Sequence, residues 1–271
     1  AKTTLEGTIA RQTSAEQSIF SSNPDNSSKV ADAELNVLKA QKAAAEMRRL
    51  RGKDMYARFL LARTRFMTGD RAGTIPLLQN ALKGKNKQPA YEEKIYNLLG
   101  QCWRFLGDSR KSSEAYKMAY ASTDDLPLKL LEYSNYLFSL HYREDISYEY
   151  YLREHEKYGQ LLRNCPQFQH RWARPGKKLR IGYLSPDFRN HVVLRFCSSL
   201  LTKFNSEEFE VYAYANCQED EYSRFLQEKV TGWRNISGLR AEEAARLIYE
   251  DEIDILFELA GHTKNNCLPV L

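Results

Sequence analysis

The spacing of apolar side chains changes character once along this chain of 271 residues, and that change rules out a single uniform architecture. Between residues 29 and about 162 they recur at helical intervals, beginning with Leu35, Leu38, Ala45 and Leu50. Beyond residue 178 they come instead as short continuous runs, at 179–184, 209–215 and 253–259, with helical stretches near 193–204 and 241–251 between them. Short apolar runs bounded by turn formers read as strands. Strands that alternate with helices form a parallel sheet covered on both faces. The expected fold class is therefore all-α followed by α/β, with a parallel sheet in the second domain.

The helical part contains an internal repeat. Residues 59–82 can be laid on residues 97–120 without a gap, pairing Leu60 with Leu98, Leu61 with Leu99, Gly69-Asp70 with Gly107-Asp108 and Ala81 with Ala119, at an offset of 38 residues. In each copy a helix is expected to stop at Gly-Asp, because glycine tolerates the left-handed turn conformation, and a second helix to follow. Ala62 and Gly100 are small enough for a partner helix to approach. Leu61 and Leu99 are expected to face the groove, and Tyr116 to supply bulk from the second helix. The pattern is similar to tetratricopeptide repeats, lengthened by a loop at 84–89; a plain helical bundle is the alternative. A third helical pair is expected over 126–162, with Tyr133, Leu137, Leu140, Tyr148, Leu152 and Tyr158 as core and groove residues and His141 and His155 as structural.

Residues 1–28 are rich in Ser, Asn and Thr and read as a flexible leader. The domain boundaries that follow are repeats at 29–166, a linker at 167–178 opened by Asn164-Cys165-Pro166, and the α/β domain at 179–271. No apolar stretch is long enough to cross a bilayer and none resembles a secretory signal. The five cysteines are widely spaced and contain no Cys-x-x-Cys pair, which points to a reducing, cytoplasmic setting and to no metal site. A formal charge of +5 is spread along the chain, so nucleic acid is not an expected partner.

In a parallel open sheet, ligands bind beyond the carboxyl ends of the strands, where loops and helix N-termini converge. Two loops qualify. The first, after the strand at 179–184, carries Asp187, Asn190 and His191; the second, after the strand at 253–259, carries Gly261, His262 and Thr263. Imidazole titrates near neutrality, so each histidine has the chemistry to take a proton from a hydroxyl or to bind a phosphate. The alternative is that Asn190 and His191 only cap the next helix and that Gly261 only turns the chain. Glu258 is left outside the site. Dinucleotide-binding, Walker, nucleophile-elbow and zincin motifs are all missing.

The run from Lys178 through Leu179-Arg180-Ile181-Gly182-Tyr183-Leu184-Ser185-Pro186-Asp187 to His191 resembles the opening of the catalytic region in the tetratricopeptide-linked O-GlcNAc transferase and SPINDLY family. Residues 254–263 resemble a later strand and loop of that region, and residues 133–142 its final helical repeat. The resemblance implies a GT-B glycosyltransferase, of which this chain holds the first Rossmann-like half. It also implies inverting, metal-independent transfer of a sugar from a nucleotide donor to Ser or Thr of acceptor polypeptides held by the repeats, with no cofactor. His191 falls on the family's active-site histidine, and Gly261, His262 and Thr263 fall on a cleft-lining loop. His262 departs from the Tyr of animal members, which leaves UDP-GlcNAc and GDP-fucose both open as donors. No nucleotide-binding half precedes Leu271, so the isolated chain is expected to be inactive. A non-catalytic repeat scaffold is the alternative.

Overall fold

A computed structural model describes residues 55–83, 89–163 and 176–271, and singly 38, 41, 42, 45, 165, 168 and 169. The expected leader at 1–28, the loop at 84–88 and most of the linker at 167–178 lie outside the described residues. Of the first expected stripe, Leu38 and Ala45 are described; both are helical and exposed. The chain divides into two compact units between Tyr158 and Gly159.

The first unit is helical. Its helices are α1 (Met55–Met67), α2 (Arg71–Leu82), α3 (Pro89–Phe105), α4 (Ser109–Ala121), α5 (Leu126–Leu140) and α6 (Tyr148–Leu161), the last running just past the unit boundary. The repeated Gly-Asp pair does two jobs in each copy. Gly69 and Gly107 adopt φ of +93° and +81°, which ends α1 and α3 where a Cβ would be strained. Asp70 and Asp108 then cap α2 and α4, accepting hydrogen bonds from the amides of Gly73 at 2.7 Å and Lys111 at 2.9 Å.

Between the helices of each pair lies a second repeated device. Thr74 Oγ1 reaches the carbonyl of Ala62 at 3.5 Å, and at equivalent positions Ser112 Oγ donates to the carbonyl of Gly100 at 2.9 Å. Both hydroxyls are buried; the Ser112 bond satisfies that hydroxyl and registers α4 against α3, whereas Thr74 donates to the carbonyl of Asp70 at 2.6 Å and only lies beside that of Ala62. The close approach at Gly100 is tight: a Cβ there would lie 2.8 Å from the Tyr116 ring. Leu61 is half-buried, but Leu99 lies in the core with Leu60, Leu78 and Ile95 and not on a groove.

α5 and α6 form the third pair, with Tyr133, Leu137, Leu140 and Tyr158 buried. Tyr148 and Leu152 are 70% and 42% exposed, because they lie to the side of the face of α6 that buries Glu154 and Tyr158. His141 caps the end of α5 against the Tyr151 hydroxyl, and the His155 ring bonds the carbonyl of Tyr151 at 2.8 Å. Where α3 meets α5, Asn97 donates to both carboxyl oxygens of Glu132, at 2.7 and 2.8 Å, and Gln101 in turn donates to Asn97 at 2.6 Å. Glu132 is 1% exposed and lies against Glu93, itself 5% exposed. Desolvation pushes the Glu132 carboxyl up to about 8 and raises Glu93 as well, and the charge of Glu93 adds to the rise at Glu132.

The second unit is a parallel four-stranded sheet in the order β3-β2-β1-β4. Its elements run β1 (Leu179–Ser185), α7 (Val192–Thr202), β2 (Phe209–Ala215), α8 (Glu221–Gln227), β3 (Gly232–Asn235), α9 (Ala241–Glu250), β4 (Ile255–Glu258) and a 3-10 turn at Leu268–Val270. One face buries Tyr183, Val211 and Ala213 under Leu194, Cys197 and Leu201 of α7 and Leu226 of α8. The other packs Leu184 and Tyr214 against Ala244 and Ile248 of α9. Successive crossovers step from β1 to β2 to β3, and the next jumps back to β4 on the far side of β1. That reversal makes the gap between β1 and β4 a topological switch point, the place where such sheets bind ligands. β3 and α8 are not legible as apolar runs: Gly232-Trp233-Arg234-Asn235 holds one large apolar residue, and α8 spans only seven residues.

Candidate functional site

Both candidate loops leave adjacent strands at the same edge of the sheet. Leu184 of β1 lies opposite Glu258 of β4, and the amide of Leu259 donates to the carbonyl of Leu184 at 3.0 Å. The first loop is pinned at several points. Ser185 Oγ accepts from the Asp187 amide at 3.0 Å, and Phe188 is fully buried beneath the loop. Asp220 caps α8 and also accepts from the Asn190 amide at 2.7 Å, while Ser223 on the same helix donates to the carbonyl of Phe188 at 2.7 Å. Asn190 therefore bonds the scaffold through its backbone while its side chain faces solvent.

His191 is the N-cap of α7. Its Nδ1 accepts from the amide of Val193 at 3.3 Å, and the same nitrogen lies 3.4 Å from Oδ1 of Asp187. The capping role expected as the alternative is thus present, and it coexists with an acid partner one helical turn upstream. The Asp187 side chain is 12% exposed against 36% for that of His191. Burial raises the Asp187 carboxyl above the usual carboxylate range, and the nearby charges of His191 and Arg189 oppose the rise. The Nε of Arg189 is buried without a hydrogen-bond partner among the described residues.

The second loop folds around Glu258. Its carboxylate accepts from the amides of Ala260 at 2.9 Å, Gly261 at 2.6 Å and Cys267 at 3.2 Å. Burial raises this carboxyl too, those three amides lower it, and the charge of Asp187 adds to the rise, which puts the two loops within electrostatic reach of one another. Gly261 turns the chain at φ +55°, and Thr263 Oγ1 closes the turn on the carbonyl of Ala260 at 2.9 Å. His262 is half-buried between them. Asn216, just past β2, ties all three loops: its amide donates to the carbonyl of Ser185 at 2.9 Å and its side chain to the carbonyl of Asn265 at 3.1 Å.

Glu258, Asn216 and Asp220 were missed as site-shaping residues. The Asp220 signal was available, since an Asp three residues before Ser223 makes a capping box. Cys217 and Cys267 lie at the same edge, but burial pushes both thiols up to about 11, so neither is a nucleophile at neutral pH. All five thiols are free. Among the described residues no group of three or more His, Cys, Asp or Glu side chains is arranged to hold a metal ion. A hollow of about 400 Å³ opens elsewhere, at the amino ends of β1 and β2, lined by Ile181, Phe209, Leu200, Phe204 and Lys203. It is mostly apolar and carries none of the candidate residues.

The profile of glycosyl transferase family 41 matches residues 133–268, half of the chain. The chain belongs to glycosyl transferase family 41. Among family relatives, it is 32% identical over 143 residues to a protein of Oryza sativa subsp. japonica described as probable UDP-N-acetylglucosamine–peptide N-acetylglucosaminyltransferase SPINDLY, covering 49% of this chain and 15% of that protein. It is 36% identical over 90 residues to the Arabidopsis thaliana protein SEC, of the same description, covering 32% of this chain and 9% of the relative. A solved structure, a mutant of the Thermobaculum terrenum O-GlcNAc transferase, superposes with a TM-score of 0.71 at 20% identity over 99% of this chain and 48% of that one. That likeness bears out the fold expected for a family 41 member, helical repeats followed by a Rossmann-like half. The chain spans about 15% of the length of the SPINDLY relatives it matches. Among the described residues no helix is long and apolar enough to cross a membrane.

Proposed function

We propose that this chain is the repeat-bearing first half of a nucleotide-sugar-dependent protein O-glycosyltransferase, working on Ser and Thr of polypeptides in the cytoplasm. The observation that carries the reading is the Asp187–His191 pair at the carboxyl end of β1, beside the switch point of the sheet and within the family 41 region. In the proposed reaction the acceptor hydroxyl oxygen bonds the anomeric carbon as the bond from that carbon to the donor diphosphate breaks. A single displacement of this kind inverts the anomeric centre, and the hydroxyl proton passes to a nearby acceptor. His191, half-exposed at the mouth of the site, is the residue assigned to the acceptor side. Gly261, His262 and Thr263 line the sugar side, with Asp187 and Asn190 on the wall opposite. No metal is required in this scheme.

Charge on the departing diphosphate needs preorganised donors, often the largest catalytic contribution. The two candidate loops offer no phosphate cradle, so this half is proposed to be silent by itself and to act when joined to a nucleotide-binding half. The repeats are proposed to hold the acceptor polypeptide. The test is transfer of labelled sugar from UDP-GlcNAc or GDP-fucose to protein, measured for the full-length parent, its His191→Ala variant and the 271-residue chain. Activity confined to the first supports the reading. Transfer by the isolated chain, or undiminished transfer by the alanine variant, overturns the corresponding part, and an inactive parent with every donor favours a scaffold.

A further inference from the structure

At Nδ1 of His191 two groups compete for one position. The Val193 amide, 3.3 Å away, is a donor and requires a bare lone pair on Nδ1. The Asp187 carboxylate, 3.4 Å away, is an acceptor and requires a proton there. A neutral imidazole carries one proton, so the winner at Nδ1 decides what Nε2 can do. If Val193 wins, Nε2 bears the proton and can only donate. If Asp187 wins, Nε2 presents a lone pair and can accept.

We propose that Asp187 is the positioning residue for His191: as a carboxylate it draws the imidazole proton to Nδ1, leaving Nε2 as the proton acceptor at the mouth of the site. This deepens the transferase reading and rests on it for its use, but not for its test. Two features support it. A bond from N–H to an ionised carboxylate is roughly twice as strong as one between neutral groups, so an ionised Asp187 outcompetes the amide of Val193. The carboxylate is held in place, because the Asp187 amide is tied to Ser185 Oγ and the neighbouring Phe188 is clamped by Ser223. The Asp187 oxygen lies 3.4 Å from Nδ1, against about 2.8 Å for a formed charge-assisted bond, so the bond requires the imidazole to turn toward Asp187. Burial works against the carboxylate form of Asp187, and the charges of His191 and Arg189 favour it. Helix capping alone gives no reason for a buried acid at this point, since Val193 already satisfies Nδ1.

The experiment reads the tautomer directly, from two-bond nitrogen–proton correlations of the histidine rings in the nitrogen-15-labelled 271-residue chain. The His191 signals are assigned by their loss in His191→Asn, which retains a cap. The expected result is a neutral His191 protonated mainly on Nδ1 in the wild type. In Asp187→Asn the ratio of Nδ1-protonated to Nε2-protonated forms is expected to fall by about tenfold or more, a change that loss of packing alone would not produce. A wild-type ring protonated mainly on Nε2 overturns the proposal without any variant, and so does an unchanged ratio in a folded Asp187→Asn. The readout needs no sugar transfer. An Asp187-dependent tautomer in a parent that transfers nothing would therefore sink the transferase reading and leave this one standing.

Discussion

The raised carboxyls of Glu132 and Glu93 make the stability of the helical unit depend on pH in an unusual direction. A carboxyl whose folded-state pKa is raised holds a proton that the unfolded chain has already released. Its contribution is complete below the unfolded value and is lost as pH rises through the folded one. Moving Glu132 from its usual 4.5 to about 8 is worth, at about 1.4 kcal/mol per tenfold change in proton affinity, an upper bound of about 5 kcal/mol. A domain is stable by only about 5–15 kcal/mol in total, so the effect is large enough to measure. Urea unfolding followed by far-UV circular dichroism should give a helical transition whose midpoint falls steadily between about pH 5 and pH 8 and then levels off. Glu132→Gln retains an acceptor for Asn97 and removes the titration, so its midpoint should vary far less across that window. A wild-type midpoint that is flat or rises with pH, or a glutamine variant with the wild-type slope, would refute the reasoning.

Three further outcomes follow from contacts described above. Gly100→Val places a side chain where a Cβ alone would meet the Tyr116 ring at 2.8 Å, and overpacking of this kind should cost about 1–3 kcal/mol, read as a lowered thermal midpoint. His191→Asn should keep the stability of the α/β unit, because Asn is a favoured N-cap, yet abolish transfer by the full-length parent; His191→Ala should lose both cap and activity. Glu258→Ala strands the amides of Ala260, Gly261 and Cys267, so limited proteolysis should cut the 261–266 loop much faster than in the wild type, whereas Glu258→Gln should be cut at an intermediate rate.

Much of this architecture was legible because it depends on periodicity. The change from helical spacing to short apolar runs separated the two folds, and Gly-Asp at an interval of 38 residues marked the repeated turn. What stayed hidden were elements whose stability comes from polar atoms. β3 is polar along most of its length and is held by pairing with β2, and α8 is anchored through Asp220 and Ser223 to the loop it supports. The site shows the same division. Strand ends and histidines could be read directly, so the placement of the loops at 187–191 and 261–263 beyond β1 and β4 was legible. Glu258 read as an odd acid on an apolar strand, because only the folded chain reveals the three amides that surround it. Tyr148 and Leu152 were misjudged for a related reason: apolar residues at helical spacing say that a helix has a face, without saying which face is covered.

The small hydroxyl residues seated at the repeated helix crossing, Ser112 bonded to the carbonyl of Gly100 and Thr74 beside that of Ala62, have a consequence for how such a protein can change over time. Each hairpin carries its own alignment mark, so the two rods of a unit find their offset without help from the units stacked above and below. A stretch of sequence with that property can be copied, dropped or exchanged as a block, and arrays of different length become accessible without re-solving the internal fit of any one block.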